Sequence, residues 1–478
     1  MNKIRSSLIS LMIASTLLVG CNLAEPTQNA LVQGTPISGI KVSNTEEPVK
    51  TIAIAQGKQT PSTEAVQTPT LGPTKVPLEV QQAGQTLQGG QSYILNQKIT
   101  DSELKALIEA ENQFTLDLYK QVAQEPGNLF FSPFSLYSAL TMAYAGTKQA
   151  TAGEMIKTLH LPYTTEKIHQ VMNGLSQRLL ANARVGDIEL VKFNIANALW
   201  AQKGYPFLPE YLDTLSANYD AGLKLVDYKK TEEARKIIND WVAEQTKNRI
   251  QDLMGQGVLN PATKMVLTNA IYFKANWQNQ FKEQATSDSD FYLEDGSAVM
   301  VKMMSQQNQF AASQNSKFNA VEIPYEGGNF SMVIVMPKDK SLTEFEKEMG
   351  ADLFKLFSDK PLQTAVQLSM PKFELDQSFA LAETLKTMGM KAAFGDDADF
   401  SGMTGSKDLK ITDVLHKAFL QVNERGTEAA AATGIVFGPT SARPPEDPLV
   451  MRFDHPFLLI IRENTTNATL FMGRFVKP

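Results

Sequence analysis

The chain has one cysteine and four histidines in 478 residues. A single cysteine excludes a disulfide framework. No CxxC, HExxH, Walker loop or GxSxG occurs, so no metal, redox, nucleotide or serine-hydrolase motif is offered. The histidines, His160, His169, His416 and His455, are scattered, and no serine sits in a recognised nucleophile setting. No catalytic residue, metal or cofactor is therefore expected. Charge of either sign is not concentrated: the net charge of -6 gives no reason to expect a nucleic-acid partner. The apolar run near the start, Leu8 to Val19, is too short to span a membrane. Aromatic residues are absent from Asn22 to Gln91.

What is present begins with 43% hydrophobic residues, enough for a sizeable core. Lys3 and Arg5 precede the run Leu8 to Val19, a charged n-region and an h-region. The run ends in Leu18-Val19-Gly20-Cys21, which resembles a bacterial lipobox. That resemblance implies a signal peptide over 1–20 and a lipid on Cys21, anchoring the protein to a membrane. Asn22 is not the aspartate associated with inner-membrane retention. The expected location is therefore the bacterial cell envelope, on the outer membrane or cell surface. Residues 21–100 are rich in Thr, Pro, Gln, Gly and Ser. Such a segment buries too little apolar surface to offset its ordering entropy, and it reads as a flexible tether.

The folded domain is expected over 101–478, with Ser102 as the N-cap of a first helix carrying Leu104, Leu107, Ile108, Phe114 and Leu118 at helical spacing. Asn128 to Leu140 reads as a short strand passing through Pro133 into a buried helix, with Ser132 and Ser135 inside it. Those hydroxyls are expected to bond to backbone. Helical spacing is expected over 164–184 and again over 232–254, where Ile237, Ile238, Trp241, Val242, Ile250 and Leu253 recur. Leu267 to Trp277 is an almost continuously apolar strand interrupted by Asn269. Val321–Tyr325 and Met332–Pro337 flank Gly327-Gly328, a hairpin signal. His416, in the approach to the apolar strand Ala418–Val422, reads by itself as a core histidine with a satisfied partner.

The stretch after that strand is the most unusual. Glu424-Arg425-Gly426-Thr427-Glu428 leads into Ala429-Ala430-Ala431-Ala432-Thr433-Gly434. From Thr427 to Phe437 every second residue is small or apolar, a period of two that suits a half-buried strand. Four alanines are poor strand formers, and the segment ends in the loop-like Gly438 to Pro445. The stretch can be strand or loop; read without context, it is equally a small-residue surface loop.

Taken together these segments resemble the serpin family. The hinge stretch, Phe130–Leu140, Leu267–Trp277, Val366–Phe373 and the run Phe453-Asp454-His455-Pro456-Phe457 occur in serpin order, and the resemblance covers roughly 101–478. It implies an α+β fold: helices packed around three β-sheets, with a large central sheet and an exposed reactive-centre loop. Ser132, Ser135, Asn269 and His416 become shutter residues, and Trp277 marks where the loop first enters the sheet, although core packing alone would explain it. The segment over 164–184 lacks the dense basic face with which some serpins bind heparin.

The implied activity is suicide inhibition of a serine protease by a monomer. The loop is cleaved, a covalent acyl-enzyme forms, and the freed loop inserts as a new strand. No charge and no proline occupy the inward positions from Thr427 to Phe437, which favours insertion. Counting from Gly426 by the usual serpin span places the scissile bond at Thr440–Ser441, suited to elastase-like or subtilisin-like enzymes. The alternative is Arg443–Pro444, suited to trypsin-like ones. The alternative function is a non-inhibitory serpin used as a binding or carrier module.

Overall fold

The computed structural model describes residues 81–358, 362–427 and 447–478. Strand β1 (Thr86–Leu87) is followed by α1 (Asp101–Val122), β2 (Leu129–Phe131), α2 (Pro133–Tyr144), α3 (Gln149–Thr158) and α4 (Glu166–Asn182). A hairpin of β3 (Arg184–Val185) and β4 (Ile188–Glu189) precedes β5 (Val191–Gln202), α5 (Pro209–Tyr219), β6 (Leu223–Val226), α6 (Thr231–Gln245) and β7 (Met265–Asn276). Next come β8 (Ser287–Tyr292), β9 (Ala298–Gln314), β10 (Phe318–Pro324), β11 (Phe330–Pro337), α7 (Leu342–Glu348), β12 (Gln363–Pro371) and β13 (Phe373–Ala380). The last elements are α8 (Ala382–Thr387), α9 (Ser401–Thr404), β14 (Ile411–Asn423), β15 (Gly426–Thr427), β16 (Leu449–Arg452), β17 (Phe457–Glu463) and β18 (Thr469–Phe475).

Three sheets form, as expected. The central one runs β1-β6-β5-β7-β15-β14-β13. A second runs β16-β12-β9-β10-β11-β17-β18-β2, with β8 on β9, and the third is the β3–β4 hairpin. Helix α2 packs against both large sheets, touching β5 and β7 on one side and β18 on the other. Its sequence explains that position. Ser132 caps it by accepting from Ser135 N–H, Pro133 occupies the first turn, and every residue from Pro133 to Tyr144 is buried. A helix apolar on all sides belongs inside.

Helix α6 lies on the opposite face of the central sheet. Ile238 and Val242 pack with Ala196, Ala198 and Trp200 of β5 and Val266 and Ala270 of β7. The helix ends at Gln245, earlier than its spacing suggests. Thr246 turns the chain: its hydroxyl donates to Val242 O at 2.8 Å and accepts from Ile250 N–H at 3.1 Å. Lys247 and Asn248 then take positive φ. Ile250, Leu253 and Met254 still join the same apolar cluster, so burial continued the helical pattern after the helix had stopped.

Two expectations about the start of the domain change. The N-cap of α1 is Thr100 rather than Ser102, in a capping box with Glu103. Residues 81–99, expected to be tether within 21–100, instead lie on the domain. Thr86 and Leu87 pair antiparallel with Lys224 and Leu223 at the edge of the central sheet. Gly89 N–H donates to Ser216 Oγ at 2.8 Å and Gly90 N–H to Asp213 Oδ1 at 2.6 Å. Ile94 bonds through N–H to Ala217 O and through O to Asn173 and Gln177. A Cβ on Gly89 would stand 2.5 Å from Leu212 O and Asp213 N, so only glycine fits this approach.

Limited proteolysis should therefore leave a core that retains 81–99. Gly89→Val should unseat the strap at about 1–3 kcal/mol and expose 81–99 to the same protease. Mass spectrometry of the core decides. Equal trimming of wild type and variant back to about Thr100 would contradict the docking.

Candidate functional site

The site is a seam. Strands β7 and β14 are parallel neighbours from Met265↔Ile411 to Tyr272↔Phe419. Above that they part, and β15 lies between them: Gly426 and Thr427 pair with Asn276 and Ala275 on one side and with Asn423 and Val422 on the other. The hinge thus already occupies the top of the gap. The sequence expectation treated Thr427 as the first residue to turn inward once insertion begins. In the structure Thr427 is already inside and fully buried, its hydroxyl 2.8 Å from Tyr325 OH. Gly426 is required by space. Its φ is +152, and a Cβ would stand 2.1 Å from Ala275 O.

Trp277 anchors this end. It is buried and stacks on Tyr325 with centroids 4.6 Å apart. Its indole N–H donates to Asn423 O at 2.9 Å and its backbone N–H to Arg425 O at 2.8 Å. Glu424 is nearly buried and paired: Oε2 lies 2.9 Å from Lys372 Nζ, and Thr286 Oγ donates to Oε1 at 2.8 Å. Burial opposes the charge, but the Lys372 and Thr286 bonds win and hold the carboxyl below its ordinary value. Arg425 faces outward, with Glu283 at 3.4 Å.

Lower in the seam, His416 of β14 and Asn269 of β7 are direct register partners. His416 Nε2 accepts from Ser132 N–H at 3.0 Å. The proton is therefore on Nδ1, which donates to Asn269 Oδ1. Asn269 Nδ2 donates to Ser135 Oγ and to Asn197 Oδ1. Ser135 Oγ also donates to Asn197 Oδ1 at 2.9 Å, and Ser132 Oγ to Leu470 O at 2.7 Å. Ser132, Ser135, Asn269 and His416 thus meet in one buried cluster. Each backbone or side-chain donor has an acceptor, as burial demands.

Three contributors were not singled out in the sequence. Asn197 stands on the same strand face as Phe193 and Ile195, where a lone polar residue among apolar ones was the available signal. Tyr325 and Lys372 had no local signal, since their roles depend on partners 102 and 52 residues away in the chain. Glu428, Ala429, Ala430, Ala431, Ala432 and Thr433 lie outside the described residues. So do the candidate bonds Thr440–Ser441 and Arg443–Pro444, and Cys21.

Comparison with known proteins agrees with this geometry. A family model described as Serpin (serine protease inhibitor) matches residues 109–478. A serpin-like protein of Thermococcus kodakarensis is 38% identical over 381 residues, covering 80% of this chain and 88% of that protein. The leukocyte elastase inhibitor of Homo sapiens is 38% identical over 389 residues, covering 78% of this chain and all of the inhibitor. Among solved structures, the thermophilic serpin tengpin in its native state superposes with a TM-score of 0.71 at 25% identity, covering 81% of this chain and 97% of tengpin.

The cluster makes a pH prediction. Burial pushes His416 down to about 3 and His169 down to about 4. In the unfolded chain both titrate near 6.5, so below that pH the unfolded state binds protons that the folded state refuses. Their contribution is intact above about pH 6.5 and is lost as pH falls toward 3, at about 1.4 kcal/mol per pH unit for each histidine. The urea midpoint of His416→Gln should fall with pH about one proton less steeply than wild type. Parallel curves would show that His416 is not held neutral.

Proposed function

The chain belongs to the serpin family, and from that premise we propose that it inhibits a serine-type endopeptidase as a suicide substrate. Named protease inhibitors are among its relatives, and members of this family act as inhibitors rather than enzymes. The protease partner is elastase-like or subtilisin-like, the scissile bond is Thr440–Ser441, and the protein acts as a monomer.

One observation carries this reading. Among the described residues, Gly426 and Thr427 lie between β7 and β14 at the top of the seam, while the sequence beyond continues the same small-apolar alternation to Phe437. Each further pair of residues drawn in would add ladder bonds on both sides of a central strand. Cleavage would free the chain to take that path. The uncleaved fold would then be a kinetic trap whose release distorts the attached protease.

Cys21 carries the lipid in this proposal, and 22–80 is the tether that sets the domain off the cell surface. A fatty-acid analogue should label wild type, and Cys21→Ala should be unlabelled and leave the membrane fraction. An unlabelled wild type would remove the anchor from the account.

The hinge gives the direct test of inhibition. Thr427→Arg places a cation in the buried seat beside Tyr325. An unpaired buried charge there disfavours seating by about 3–5 kcal/mol. Insertion slows while hydrolysis of the acyl-enzyme keeps its own rate. With an elastase-like protease, wild type should give a covalent complex that survives denaturing electrophoresis. The variant should be cut at the same bond and release active protease. Equal complex yields would refute the hinge account. Absence of complex with every serine protease tried would leave the binding or carrier module.

A further inference from the structure

Two cavities meet at the edge of the central sheet, where β6 stops and β5 runs on beside α4. The first, of about 450 Å³, has Thr86, Gln88 and Tyr93 of the 81–99 strap on one side and Lys224 and Trp241 on another. The second, of about 240 Å³, is lined by Leu179, Phe193, Ile271 and Leu470. Phe134, Ser176, Leu180 and Ile195 line both, so the two are one trench. Its ends differ in chemistry: one is aliphatic and aromatic, and the other carries a cation. The opening is apolar, with Leu180 54% and Ile195 38% exposed, unusual for side chains that elsewhere would be core.

Lys224 is the feature that selects a ligand. Its Nζ donates to Thr86 Oγ at 3.0 Å and lies 4.7 Å from the Trp241 ring and 5.7 Å from Trp200. Burial holds its ammonium below the ordinary lysine value, with the Glu244 carboxylate acting the other way. Among the described residues no carboxylate is recorded in an ion pair with it, and Asp220 at the rim is exposed. One of its three donors is used by Thr86, leaving two for an anion. The trench is of a size that suits a small ligand.

We propose that this trench binds an unbranched medium-chain carboxylate, the alkyl chain lying against Leu179, Phe193, Ile271 and Leu470 and the carboxylate on Lys224. The mono-anion matches the single cation, and the chain covers apolar surface that no described residue covers. The strap supplies Thr86, which orients the ammonium, so the site exists only while 81–99 is docked. Binding is independent of whether a protease is inhibited.

Micromolar sodium dodecanoate, titrated against full-length protein, should give a saturable change in tryptophan fluorescence, since Trp241 lines the site. Lys224→Met should weaken dodecanoate at least tenfold. Dodecanol should bind wild type at least tenfold more weakly than dodecanoate, and its affinity should not depend on Lys224. Ile195→Trp, which fills the shared wall, should abolish binding of both while leaving the melting temperature near that of wild type. Dodecanoate binding that ignores both substitutions would place the ligand elsewhere and overturn the proposal. So would no saturable change up to millimolar dodecanoate, or equal affinity for dodecanol and dodecanoate.

Discussion

The pairing of β7 with β14 is the constraint on which the rest depends. It closes the central sheet through parallel ladder bonds, and at its middle a histidine and an asparagine bond across it. Ladder bonds alone would let a new strand exchange in at little net change, because each broken bond has a replacement. The His416–Asn269 pair has none to offer the new strand. Separating them strands buried polar groups, and each group left unpaired is disfavoured by about 1–3 kcal/mol. On the proposed insertion, the barrier would be concentrated in a few side chains and the gain spread along the whole strand. A fold with that distribution would persist in the less stable arrangement, since the first step is uphill before any gain is reached.

The hinge end would make that first step small. Two residues are already seated, and Tyr325 satisfies the Thr427 hydroxyl in place of water. Trp277 holds the turn through Asn423 and Arg425 carbonyls rather than through side chains. The turn can therefore keep its geometry whatever follows it in sequence. Glu424 ties the same turn to Lys372 at the start of β13. These contacts fix the turn Asn423–Thr427 at the end of β14.

Much of this was legible in the sequence, and the failures have physical causes. Pro133 inside a mostly apolar run announced the passage from a short strand into the buried helix α2. Asn269 stood out because a central strand rarely carries a polar residue. His416 needed the family resemblance to acquire a partner, since nothing local tells a satisfied histidine from a lock. The run 246–254 misled because hydrophobic spacing reports burial, and a turn held by Thr246 can bury residues at much the same spacing as a helix. The strap was read as tether because composition measures apolar content. Its docking depends chiefly on backbone bonds, on Leu87, and on a glycine that admits close contact. Thr427 was placed correctly in phase but one step late, because a period of two says which side chains face inward and not which of them are already paired.

The two faces of the seam hold it by different means, and on the proposed insertion this would decide which half of the sheet travels. Behind it, the polar cluster joins β7 and β14 to the N-terminus of α2 and, through Ser132, to β18. In front, the α6 cluster draws on β5 and β7 throughout but takes only Leu415 from β14. Apolar contact is non-directional and scales with area, so α6 is bound far more strongly to β5 and β7 than to β14. Were the polar cluster to part, the line of least loss would run between Leu415 and the rest of that cluster. On the proposed insertion, strands β5, β6 and β7 would leave as a unit with α6 on their front. The strap crosses the same boundary from the other edge: it pairs with β6 and bonds to α4 and α5. Strand β6 is thus tied to helices outside the seam, and on the proposed insertion the ease of opening would be set at the far edge of the sheet as well as at the seam.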